Sequence, residues 1–204
     1  MEELRDADGL TEQEFLATYD VTKYDRPSVT VDIIILKDSR ALLIRRGGHP
    51  CIGKLAFPGG FVEPDEDVYN AAKRELMEET CLNVSNLRQL CVASEPKRDP
   101  RTRIITVPFL AEVKDDSTLL ASDDAMSAKW YAYSYKKSSI NGVTLFEVSL
   151  SGENERTVFK VSKSRDKTGL RADPIYKTVG ASPMAGDHAE LFVQAIEAME
   201  NLNG

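Results

Sequence analysis

The chain is poor in the features that mark several large protein classes. It has no apolar run approaching the roughly 18 residues of a membrane helix, and Met1–Leu10 carries no signal-peptide pattern. Neither membrane insertion nor export is expected, and the cytoplasm is the natural compartment. Cys51, Cys81 and Cys91 are odd in number and lack the spacing of a metal finger, so reduced thiols are expected. Histidine is scarce: His49 and His188 read as loop or capping residues before catalysts. Positive charge is short as well, with 26 Lys and Arg against 33 Asp and Glu and a formal charge of -7. Such a balance disfavours nonspecific binding to nucleic acid or to anionic membranes. No repeat or low-complexity tract is visible. What remains is 204 residues, 42% hydrophobic, enough for one core with decorations.

Within that background, Gly60–Leu82 stands out. Glu75, Glu78 and Glu79 are spaced i, i+3 and i+4, so a helix puts them on one face. Thr80 and Cys81 follow, which places the three in the last turn, at the negative pole of the helix dipole. Like-charge pairs at this spacing cost a few tenths of a kcal/mol each, and the dipole adds a similar amount. A bound divalent cation, held by carboxylate oxygens, is the simplest way to offset both. The helix is expected to begin with Asp65 as N-cap after Pro64, with Glu66 and Asp67 in the first turn. At about 100° per residue, Val68, Ala71 and Ala72 share a side with Glu75. One stripe thus starts apolar and ends in carboxylates at a cleft edge. Arg74 precedes Glu78 by four residues and can pair with it. For an isolated E-x-x-E-E, a solvated acidic helix end would be the better reading; here the surrounding pattern overturns it.

The remaining elements are legible at lower resolution. Thr11–Tyr19 reads as a short helix with Thr11 as cap and Glu14 completing a capping box. Ser28–Leu36 and Ala41–Ile44 read as paired strands around the polar turn Lys37–Arg40. Asp32 interrupts the first of them and is weighed as a functional candidate against an outward-facing or hydrogen-bonded strand aspartate, the latter preferred. Leu90–Ser94, Ile104–Val113 and Ala128–Tyr133 carry strand character. Val143–Leu150 and Thr157–Ser162 alternate around Ser151–Asn154 as a hairpin, and Arg165–Ser182 reads as a polar loop. Asp187–Leu202 is a closing helix with Leu191, Ala195 and Met199 in one apolar row.

Gly60, Glu66, Arg74, Glu75, Leu76, Glu78, Glu79 and Leu82 fall on the fixed positions of the Nudix box, which this segment closely resembles. Cys81 departs from it, standing where the family has glycine; a residue with a Cβ costs roughly 1 kcal/mol in the left-handed cap that glycine serves. The resemblance implies an α/β (α+β) Nudix fold, a mixed β-sheet sandwiched between helices, here with an extra β-hairpin in the C-terminal half. It divides the chain into an N-terminal helical extension (1–25) and a Nudix domain (26–204) with a hairpin and loop insertion at 140–182. That hairpin is read either as reaching over the substrate cleft or as a subunit contact, against an inert edge decoration. The flanks Arg26–Asp32, Leu42–Gly47, Gly53–Glu66 and Arg98–Ala111 are similar to the ADP-ribose pyrophosphatase-like branch.

By that resemblance the chain would hydrolyse a phosphoanhydride in a nucleoside diphosphate derivative, ADP-ribose first, to AMP and ribose 5-phosphate. The cofactor would be Mg²⁺ or Mn²⁺, hard ions suited to oxygen ligands. Glu75, Glu78 and Glu79 are the implied metal ligands with the Gly59 carbonyl, and Arg74, Glu75 and Glu78 the catalytic set. Gly60, Arg45, Arg46, Arg98 and Arg101 are candidates for holding substrate, with Arg103 beside them; alternation in the strand points one of Arg45 and Arg46 inward. Glu112, Asp123 and Asp124 are candidates for a general base. The partner expected is a small nucleotide, with a homodimer as the family would suggest. Two alternatives stand beside this reading: a (d)NTP or dinucleotide polyphosphate pyrophosphatase, and a non-catalytic nucleotide-sugar sensor.

Overall fold

The computed structural model describes residues 4–113 and 128–203. Helix α1 (Glu12–Thr18) has the expected capping box, the Thr11 side chain taking the Glu14 N–H while Glu14 takes that of Thr11. None of its residues is buried. Strands β1 (Ser28–Ile34), β2 (Leu36–Lys37), β3 (Arg40–Arg45), β4 (Leu55–Ala56) and β5 (Gly59–Phe61) precede helix α2 (Val68–Thr80). Strands β6 (Val84–Gln89), β7 (Ile104–Val113), β8 (Lys129–Ile140), β9 (Val143–Ser151), β10 (Arg156–Ser164) and β11 (Ile175–Thr178) lead to the closing helix α3 (His188–Asn203).

Two sheets result. The first is mixed, in the order β5-β1-β7-β6, with β1 and β7 parallel and the other pairs antiparallel. The second runs β11-β10-β9-β8-β3-β2, with β4 beside β3, and every pairing is antiparallel. Side chains alternate along β1 and sort to two cores. Val31 and Ile33 join Ala71, Ala72 and Leu76 of α2, while Ile34 joins the cluster built around Phe192 of α3 and Phe146 and Phe159 of the second sheet. The helix-flanked mixed architecture expected from the sequence is therefore what the chain forms. All three cysteines are free, and burial pushes the Cys91 thiol up to about 11.

Several local expectations need correction. Asp65 is not the N-cap of α2: Asp67 is, its Oδ1 accepting from the Tyr69 and Asn70 N–H groups at 2.9 Å each. Glu66, freed from the helix, turns toward Arg74 instead. The first two strands pair only at Leu36–Lys37 with Arg40–Ala41, across a turn whose Asp38 and Ser39 have φ of 51° and 55°. The length of β1 is taken by β5 and β7. Leu90–Ser94 is not a strand; pairing with β7 belongs to Val84–Gln89, and Ala93 makes only an isolated bridge to Thr106. The hairpin around Ser151–Asn154 is present, but Asn141–Gly142 turns β8 into β9 before it, both residues at positive φ. Arg165–Ser182 includes β11, which extends the same antiparallel series.

Candidate functional site

The carboxylates of α2 meet the backbone of β5 and the turn before it. Helix α2 brings Ala71 and Ala72 into the core and delivers Glu75 and Glu79 one and two turns later beside Gly59 and Gly60. Glu79 accepts a hydrogen bond from the Gly59 N–H at 2.9 Å. Glu75 lies so close to Gly60 that a Cβ there would sit 2.2 Å from its Oε1. At Gly59 a Cβ would sit 2.1 Å from the Val31 carbonyl oxygen, so this approach of β5 to β1 is open only to glycine. The helix ends as the sequence implies, with Cys81 in the left-handed conformation at φ 58° and its N–H bonded to the Met77 carbonyl.

Arg74 organises the cluster. Its guanidinium donates to Glu66 at 2.6 and 3.2 Å, to Glu75 at 2.9 Å, to Glu78 at 3.2 Å and to the Phe61 carbonyl at 3.0 Å. A planar fork used this fully fixes three carboxylates at once. The bond to Arg74 holds the Glu66 carboxyl below the usual carboxylate range. Glu75 and Glu79 move the other way. Burial raises Glu75, against the pull of Arg74. Burial pushes Glu79 up to about 7, with the charges of Glu75 and Asp32 adding to the rise and the Gly59 N–H and Arg46 opposing it. Glu78, with a side chain 58% exposed, remains open to water.

These residues fit a hard divalent cation by their donor chemistry. Two carboxylates are desolvated without enough positive charge to compensate them, and no thiol or imidazole stands among the oxygens. Among the described residues no three acidic, cysteine or histidine side chains already converge as a cage. Magnesium-type sites commonly use one or two carboxylates and complete their shell with water and substrate phosphate, so an open cluster suits them.

The other candidates are scattered more widely. Arg46 is the basic residue whose charge acts on Glu79, and its Nε donates to the Pro50 carbonyl. Arg45 pairs with Glu155, in the turn of the β9–β10 hairpin, and Tyr131 donates to the same carboxylate at 2.6 Å. The extra hairpin thus reaches the end of β3. Arg98, only 8% exposed, is committed to Asp187 through two bonds of 2.9 and 2.8 Å. Arg101 is paired with Asp99 and lies over the Phe61 ring, 5.6 Å from its centroid. Arg103 donates to the Ser94 carbonyl. Glu112 lies toward the end of β7 opposite Asn86 and lines a different cavity of about 680 Å³ with Ile34 and Met199. Asp123 and Asp124 fall outside the described residues. His49 is exposed.

Asp32 takes the hydrogen-bonded form that the sequence offered for it, while its neighbours His188 and Arg98, distant in the chain, are the part sequence reasoning missed. Asp32, on the α3 side of β1, is buried and accepts from the Thr106 hydroxyl at 2.6 Å. It lies 3.6 Å from Nε2 of His188 and 4.0 Å from Arg98. The only sequence signal was a charge inside an apolar strand.

A family profile described as NUDIX domain matches residues 26–135, just over half of the chain. An ADP-ribose pyrophosphatase of Methanocaldococcus jannaschii is 44% identical over 108 residues, covering 53% of this chain and 63% of the relative. An ADPR responsive transcriptional repressor, NtrR, of Acinetobacter baylyi is 37% identical over 107 residues, covering 50% and 43%. The chain therefore spans less than two thirds of the length of these relatives. Among solved structures, a MutT/nudix family protein from Enterococcus faecalis superposes with a TM-score of 0.67 at 28% identity, over 94% of this chain and 70% of that one.

Proposed function

This chain belongs to the NUDIX family, and from that premise we propose that it hydrolyses a phosphoanhydride bond in a nucleoside diphosphate derivative. ADP-ribose, split to AMP and ribose 5-phosphate, is the substrate the pyrophosphatase relative favours. The observation that carries the proposal is the pair Glu75 and Glu79, pressed against Gly60 and Gly59 with their ionised forms under-compensated. Mg²⁺ or Mn²⁺ would be held there by Glu75 and Glu79, with Glu78 beside them, and when bound would supply Lewis acidity and a more acidic water. Arg74 keeps the carboxylates in place rather than touching substrate, since its donors are already used. Glu78 takes the proton from an attacking water in this reading, which its exposure to solvent supports. Arg46 is the cation this reading assigns to a diphosphate oxygen, supported by its acting on the charge of Glu79. The uncommitted base and sugar selection belongs to surrounding loops, so substrate choice is a separate question from chemistry.

The test is direct. Purified protein with Mg²⁺ is offered ADP-ribose, nucleoside triphosphates and dinucleotide polyphosphates, and phosphate-containing products are scored. AMP from ADP-ribose supports the proposal; turnover confined to another arm reassigns the substrate. A second reading is favoured by the 37% identical repressor: ADP-ribose is bound and sensed without cleavage. Saturable ADP-ribose binding with no product in any arm would establish that reading and reject hydrolysis.

A further inference from the structure

The turn from β4 to β5 is gripped from both sides of the first sheet. Gly59 gives its N–H to Glu79 on the α2 side. Two residues earlier, Phe57 gives its N–H to Nδ1 of His188, the first residue of α3, at 3.1 Å. Between them the Pro58 carbonyl accepts from the Ile33 N–H at 2.8 Å. A ring that accepts at Nδ1 carries its proton on Nε2. That nitrogen faces Oδ1 of Asp32 at 3.6 Å, and the other Asp32 oxygen is fixed by the Thr106 hydroxyl at 2.6 Å. The imidazole also stacks on the Phe57 ring, centroids 5.6 Å apart with planes 21° from parallel. Arg98 and Asp187 brace the start of α3 next to it.

We propose that His188 is a positioning residue, which with Asp32 holds the Phe57–Gly60 turn so that Gly59 presents its N–H to Glu79. This rests on the reading of Glu75 and Glu79 as the working carboxylates, and it adds a function for the closing helix that the box does not contain. Phe57, His188 and Asp32 are all buried, so the Phe57 N–H has no ready replacement acceptor once the imidazole is removed. The turn then relaxes, and a shift of tenths of an ångström at Gly59 is passed to Glu79, where such errors are costly to chemistry.

The experiment compares His188→Asn, whose amide oxygen sits where Nδ1 was, with His188→Gln, whose amide sits nearer Nε2. Two measurements are made on folded protein. In the metal-free state, amide hydrogen exchange is followed at Phe57 and Gly59. The expected result is exchange at least tenfold faster at both sites in the Gln variant and near wild-type protection in the Asn variant. With Mg²⁺ and ADP-ribose, kcat is expected to fall roughly 10- to 100-fold in the Gln variant, with KM changed less than about threefold, and to be largely recovered in the Asn variant. Loss of protection at Phe57 alone overturns the proposal, as does an equal kcat in the two variants. Absence of ADP-ribose turnover in the wild type rejects that substrate assignment instead, and the exchange experiment still decides whether His188 positions Gly59.

Discussion

Glu78 and Gly59 show how much can depend on a single atom or its absence. Replacing Glu78 by Gln keeps size and exposure but removes a charge and a proton acceptor. Turnover is expected to fall roughly 10²- to 10⁴-fold with the circular dichroism spectrum unchanged. Gly59 works through what it lacks. Adding one methyl group would bring it to 2.1 Å from the Val31 oxygen, so Gly59→Ala must move β5 away from β1. A loss of about 1–3 kcal/mol is expected, read as a lower melting temperature, together with loss of activity. An alanine variant as stable and active as wild type would refute the close-approach argument. Glu75, Glu78, Glu79 and Arg74 were readable from sequence because helical spacing is a local property, and Gly60 because it falls on a position of the box the segment resembles. His188 and Phe57 are 131 residues apart, and no local pattern could join them.

At the scale of elements, the closing helix does more than fill the core. Glu190, in its first turn, accepts the Thr178 N–H of β11 at 3.0 Å. Burial raises its carboxyl above the usual carboxylate range. The folded protein therefore binds this proton more tightly than the unfolded chain does. The associated stability is present below about 4.5 and is lost as pH climbs through the raised folded value. Glu190→Gln keeps the acceptor and removes the ionisation, so its melting temperature should exceed wild type at pH 8 and match it at pH 4. The reverse order would show that the ionised form is the stabilising one. Elements were legible where periodicity was strong, as in α2, α3 and Ile104–Val113. They were misplaced where tertiary pairing chose between neighbouring apolar runs. Leu90–Ser94 looks like a strand by composition, yet β7 pairs with Val84–Gln89. The cap of α2 moved by two residues for a similar reason: either aspartate could cap locally, and only Asp67 leaves Glu66 free to meet Arg74.

Seen as a whole, the molecule concentrates its packing after residue 25. Helix α1 buries none of its residues and leaves Phe15, Leu16 and Tyr19 exposed. Deleting residues 1–22 is expected to change stability by no more than about 0.5 kcal/mol, the usual scale for contacts at a surface. A larger fall in melting temperature would mean that this segment is held by contacts absent here, such as those of a second subunit. Where chain segments pair with their neighbours, alternation gave the β9–β10 hairpin in advance, but the β8–β9 turn and β11 did not announce themselves, the latter lying in a stretch that reads as a polar loop. The parallel pairing of β1 with β7 left no such mark, because it links segments some 76 residues apart.

That parallel pair has a consequence for the order of assembly. A meander of adjoining strands closes short loops and gathers itself early, whereas β1 and β7 must find each other across a long span. Thr106 can reach Asp32 only after they do, and α3 can then lock the turn that carries Gly59. On refolding, the glutamate cluster should be the last part to reach its native geometry, so regain of β-structure will run ahead of regain of function.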